Sequence, residues 1–223
     1  LWQPGRTEWE QIKKEYAGKE ALVFVLNNEK GLRKPPQIHF TVSADSVSAP
    51  IFYRAVPLPF KFARENLDKV SWRLGNIGDY TEAPAVLENL PVCGNCHSFT
   101  PDGRQLAMDI DARDEKGAYI ITRFGAETSI TENDIINWSD YQDGRFTYGL
   151  LSQISPDGRF VVSTLKDCEI FVDRHDMEYS QLFFPFKGIL VYYDRDKKEY
   201  NDISGANDTN LVQSNPSWSP DGK

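Results

Sequence analysis

Hydrophobic spacing changes character early in this chain. Trp9, Ile12 and Tyr16 recur at three- and four-residue intervals, which places them on one face of a helix. Thr7-Glu8-Trp9-Glu10 reads as its capping box, with Thr7 as N-cap and Glu10 reaching back to the Thr7 amide. Gly18 ends the element. Short runs follow at 21–26, 38–42 and 51–56, the last two rich in β-branched and aromatic residues. All are bounded by Pro, Gly or Asn, the pattern of strands. Residues 57–92 read as irregular, with prolines at 57, 59, 84 and 91. Further strand patterns occupy 105–110 and 160–165.

Each of those later strands follows the same turn. Thr100-Pro101-Asp102-Gly103-Arg104 recurs as Ser155-Pro156-Asp157-Gly158-Arg159 and again as Ser219-Pro220-Asp221-Gly222-Lys223. Proline presets φ, the aspartate side chain bonds nearby backbone, and glycine takes the left-handed φ. The prolines fall 55 and then 64 positions apart, wider than the ~40–50 residues of a propeller blade, so blades here would carry insertions.

Composition narrows the function classes. The 223 residues are 40% hydrophobic, enough for a globular core. With 33 acidic and 25 basic residues the net charge is −8, which argues against a nucleic-acid partner and an anionic membrane surface. No apolar stretch reaches the ~18–20 residues of a membrane span. Leu1-Trp2-Gln3-Pro4 is not a signal peptide.

The densest chemistry is Cys93-Gly94-Asn95-Cys96-His97, the attachment signature of c-type haem. Two thiols at this spacing can add to the two haem vinyl groups, and the histidine that follows can ligate the iron. One covalent haem c is therefore expected on Cys93 and Cys96, with His97 as the metal ligand. Zinc is the second reading, since C-x-x-C supplies two tetrahedral ligands. It needs two more, and the remaining candidates are Cys168, His39 and His175, with no spacing that favours them. A bare thiol pair is the third. Haem would also require export to the periplasm or beyond, and the chain would then be a processed or trimmed form.

The sixth iron ligand stays open among His175, Met177, His39, Met108 and none. Met108 would pair across from about Cys96 if 100–103 is a tight turn, which suits a core residue better than a trans ligand. His175 and Met177 sit in a polar insertion, and His39 on a strand. The acidic run at 109–115 lacks the calcium-loop pattern and reads as a solvated loop. Phe183-Phe184-Pro185-Phe186 and Phe52-Tyr53 could wall a haem or simply fill a sheet core.

The T/S-P-D-G-R/K repeats ahead of apolar strands resemble the TolB-type β-propeller repeat. The stretch 87–103, where C-x-x-C-H runs straight into the first turn, resembles a group of exported bacterial propeller proteins with a haem-type motif. The resemblance covers most of 50–223. It implies a mainly β fold: an N-terminal helix and irregular β region over 1–92, then a haem-attachment segment and part of a β-propeller over 93–223. A propeller needs ~4–8 blades, and 97–223 supplies about two and the opening of a third. The resemblance thus implies a longer parent protein, with further blades or a redox partner protein completing it. The expected function is a monohaem cytochrome-like propeller in electron transfer or as a redox subunit. The alternatives are a scaffold propeller with a zinc or thiol site, and a haem enzyme with an open iron site.

Overall fold

A computed structural model describes residues 4–24, 37–112, 115–142, 148–166, 171–173, 183–185 and 187–223. The chain divides into two compact units, one of residues 1–53 and 73–86, the other of 54–72 and 87–223.

The first unit holds helix α1 (Arg6–Tyr16) and the antiparallel pair β1 (Glu20–Phe24) and β2 (Gln37–Thr41). Of the expected helix face, Trp9 and Ile12 are half-buried, with the Trp9 ring tilted against Phe40 at 6.1 Å, while Tyr16 stays exposed. The expected cap is not: Gly5 is the N-cap and no side chain closes it. Glu10 is engaged elsewhere, 2.7 Å from Lys13 Nζ and 2.6 Å from the Tyr80 hydroxyl, so it does not turn back to the helix start. Gly18 ends the helix at φ +74°, and its amide bonds Val42.

Strands β3 (Pro50–Ala55), β4 (Ser71–Asn76) and β5 (Ala85–Glu88) form a three-stranded sheet, with the short helix α2 (Phe60–Glu65) between β3 and β4. The stretch expected to be irregular therefore contains two strands. Its prolines lie outside them, at positions that need no ladder N–H.

In the second unit, β6 (Gly94–Phe99), β7 (Gln105–Ala112), β8 (Glu115–Arg123) and β9 (Ile135–Asn137) make one antiparallel sheet in that order. Strands β10 (Tyr148–Ile154), β11 (Phe160–Lys166), β14 (Ile189–Asp194) and β15 (Glu199–Asp202) make a second, also antiparallel. The short β12 (Phe171–Asp173) and β13 (Phe183–Pro185) pair with each other, and Phe186 lies outside the described residues. Ala107, Tyr119 and Ile121 of the first sheet share one core with Ile154, Val161, Leu165, Ile189 and Val191 of the second. Trp138, fully buried, belongs to the same core and donates its Nε1 to Ser152 at 3.2 Å.

The three repeated turns are built alike. Asp102 accepts from the Thr100 hydroxyl and the Arg104 amide, and the Thr100 oxygen accepts from the Gln105 amide. Ser155, Asp157, Arg159 and Phe160 repeat the pattern. Ser219, Asp221 and Lys223 keep its hydroxyl–carboxylate and amide–hydroxyl bonds. Every bond lies within six residues, so the motif specifies a tight hairpin and nothing about how sheets are arranged.

The propeller expectation is corrected accordingly. The protein is mainly β with an N-terminal helix, but both four-stranded sheets are open. Among the described residues no sheet closes or curls into a ring, and no set of propeller blades is present. Nor is there a recognisable surface for a redox partner among them. No described helix is long and apolar enough to cross a membrane.

Close backbone approach sets the join between the sheets. A Cβ on Gly149 would lie 2.1 Å from Trp138 Cδ1, and one on Gly117, at φ +110°, would lie 2.4 Å from the Gly149 nitrogen. The expected cost of Gly149→Ala is about 1–3 kcal/mol from overpacking, with strain added where Trp138 cannot shift. Urea denaturation of the variant and wild type checks it; equal midpoints would mean that Trp138 is not held against β10.

Candidate functional site

The cysteine motif lies at the start of β6, the terminal strand of its sheet among the described residues. Gly94 pairs with Ile110 and His97 with Met108, so three steps along β6 match two along β7. The extra residue is a β-bulge. In a regular strand, side chains three positions apart face opposite ways. The bulge resets that alternation and brings Cys93 and Cys96 to one face. The Asp111 amide bonds the Cys93 carbonyl at 2.9 Å, which fixes Cys93 beside Asp111 and leaves Cys96 beside Asp109.

His97 goes to the other face. It pairs with Met108 and meets Phe99 edge-on at 6.5 Å. The fold thus brings the two thiols together and separates the imidazole from them. Met108 is fully buried, in keeping with its reading as a core residue. It sits opposite His97 rather than Cys96, because the turn is closed between Thr100 and Gln105 and the ladder runs on from it through Phe99–Leu106 and Ser98–Ala107. His39 lies on β2 in the first unit, where its ring nitrogens meet Glu20 at 2.8 Å and Gln37 at 3.0 Å. Cys168, His175 and Met177 lie outside the described residues.

Two residues with no sequence signal stand beside the thiols. Arg54 Nη1 donates to Asn95 Oδ1 at 3.1 Å, between the two cysteines. Its guanidinium carbon lies 5.8 Å from the Trp72 ring centroid. Trp72 is only 1% exposed, and it is the reason for glycine at 94: a Cβ there would come 2.8 Å from Trp72 Cη2. Cys93 is half-buried and Cys96 opens to solvent, and neither is in a disulfide. The protein packed around each sulfur pushes its pKa up; Arg54 partly opposes this at both, while Asp111 and Asp109 add to it at Cys93 and Cys96 respectively. Both are therefore thiols, not thiolates, at neutral pH.

The acidic run is not all solvated loop. Asp109 lies on β7, 1% exposed, with its oxygens 3.4 and 3.3 Å from the Ser152 amide of β10. Burial raises its pKa to about 7, against which the bonds from Ser152 work. A raised carboxyl pKa means the folded chain binds the proton more tightly than the unfolded one. The resulting stability is complete below the ordinary value of 3.8 and is lost as pH rises through about 7. Asp109→Asn keeps an acceptor for Ser152 and removes the titration. Wild type should lose on the order of 2–4 kcal/mol relative to this variant between pH 4 and 8. Denaturant titrations at both pH values measure it; parallel pH profiles would show that Asp109 ionises freely in the fold.

The expected function is also corrected. Among the described residues no three His, Cys, Asp or Glu side chains group as a metal site. As folded, the strand turns Cys96 and His97 to opposite faces, so the two thiols and the imidazole are not gathered at one place. This removes the support for a cytochrome-like propeller in electron transfer, and equally for the zinc-scaffold and open-iron enzyme readings. No family model matches the chain and no curated protein matches it, so the TolB-type resemblance rests on its turn motif alone.

Proposed function

We propose that residues 93–97 attach one haem c covalently, through thioethers at Cys93 and Cys96, with His97 as the ligand assigned to iron. The observation that carries this reading is the bulge that turns both thiols to one face of β6. Cys93 and Cys96 would hold the group, each S–H adding across a vinyl C=C with no oxidant or reductant consumed. Arg54 is a cation beside the thiols, suited to an anionic group.

His97 is the part for which the fold has to give way. Its ring must leave the Met108 side, and the chain can turn where β6 has no regular ladder, at Asn95 and Cys96. Once bound, haem supplies an iron centre open to redox or ligand chemistry. Because c-type attachment occurs outside the bacterial inner membrane, the proposal entails export.

Protein produced with a cytochrome c maturation system should gain the mass of one haem and keep its colour through acid–acetone extraction. The paired substitution of Cys93 and Cys96 to Ala should abolish both. His97→Ala should lower the yield of loaded chain or shift its absorption, and an unchanged yield and spectrum would remove His97 from the site. Met108→Leu should leave the spectrum as it is. A colourless wild-type chain of unmodified mass would falsify the proposal.

A further inference from the structure

Each of the three repeated turns contains a bond with chemistry of its own: Asp102-Gly103, Asp157-Gly158 and Asp221-Gly222. In a free chain an Asp–Gly pair closes on itself, because glycine has no side chain to obstruct the approach. The glycine nitrogen attacks the aspartate Cγ, and the amide proton and the carboxyl OH leave as water. Water then reopens the five-membered ring. Opening at the main-chain carbonyl leaves isoaspartate, with the backbone routed through the side chain and one carbon longer. The attack needs a free glycine amide, a carboxyl free to rotate, and that carboxyl protonated. All three aspartates are exposed, so burial does not protect them. The turn withholds each requirement instead. The Gly103, Gly158 and Gly222 amides are donated to the Thr100, Ser155 and Ser219 carbonyls at 2.8, 2.9 and 2.9 Å. The Thr100, Ser155 and Ser219 hydroxyls donate to Oδ1 of Asp102, Asp157 and Asp221 at 2.6, 2.5 and 2.5 Å. In the first two turns the Arg104 and Arg159 amides reach the same oxygen at 3.0 Å. These bonds, the hydroxyl's foremost, hold all three carboxyls below the usual carboxylate range, which keeps the protonated form scarce at neutral pH.

We propose that these Asp–Gly bonds are latent isoaspartate-forming sites, and that Thr100, Ser155 and Ser219 keep them closed by pinning the neighbouring carboxylate. The hydroxyl thus has a second task beside accepting the amide of Gln105, Phe160 or Lys223. The first site bears on the cysteine motif. An extra backbone carbon at position 102 would break the closure between Thr100 and Gln105, from which the β6–β7 ladder runs to His97 and Met108. The protection holds whether or not a haem is attached.

Ageing the full chain at neutral pH and physiological temperature tests this. Digestion with a protease that cuts before aspartate but not before isoaspartate, followed by mass spectrometry, counts each site separately. Thr100→Val keeps the shape and the backbone bonds of the first turn and removes only the hydroxyl. It should raise isoaspartate at position 102 several-fold and leave positions 157 and 221 at the wild-type level. Ser155→Ala should do the same at position 157 alone, and Thr100→Ser should stay at the wild-type level throughout. Equal accumulation at position 102 in Thr100→Val and wild type would overturn the proposal. An equal rise at all three positions in Thr100→Val would overturn it too, because the protection would then lie in the fold as a whole and not in the hydroxyl.

Discussion

The second unit depends on one crossing, where Trp138 is pressed onto a backbone that carries no side chain. Gly149 lets the indole lie directly on β10, and Gly117 admits β10 to the first sheet. A large apolar ring removed wholly from water is among the strongest single contributions a core can contain. Its Nε1 is not lost in the process, because Ser152 accepts it and in turn meets Ser163 at 2.9 Å. The same Ser152 gives its amide to Asp109. One residue of β10 therefore serves the indole, the neighbouring strand and the opposite sheet, so packing and polar satisfaction fix the same register.

That register reaches the cysteines. Asp109 is held from β10, so β7 cannot slide, and β6 must accommodate its extra residue against a fixed partner. The bulge is the result, and the shared face of Cys93 and Cys96 follows from it. Trp72 supports the motif from behind by excluding any side chain at position 94. The thiols thus owe their arrangement to groups on three other segments of the chain.

Local chemistry was legible in the sequence, and long-range consequences were not. The turns at 100–104, 155–159 and 219–223 form as their residues dictate, since every bond in them is local. The helix was readable from spacing alone, and Trp9 and Ile12 lie on its half-buried side, but Tyr16 does not. Its capping box was not realised, because Tyr80, seventy positions away, competes for Glu10. A true capping box formed instead at Thr131 and Asp134. Asp109 looked like one acid among many, and only the arrival of β10 makes it a buried one. Arg54 and Trp72 come to the cysteines through tertiary packing, and glycine at 94 was the sole trace of them. The inference from turn to propeller failed because a hairpin motif carries no information about how its sheet ends.

The bulge in β6 also bears on what this molecule does with its neighbours. A terminal strand presents unpaired N–H and C=O groups along its outer side, and a flat one invites a strand of another molecule to add. A strand interrupted at Asn95 and Cys96 offers no continuous row to copy, since its twist changes partway along. The irregularity that gathers the thiols thereby keeps the sheet from growing by recruitment at that edge. A chain straightened there would gain pairing sites and lose its protection against self-association in the same change.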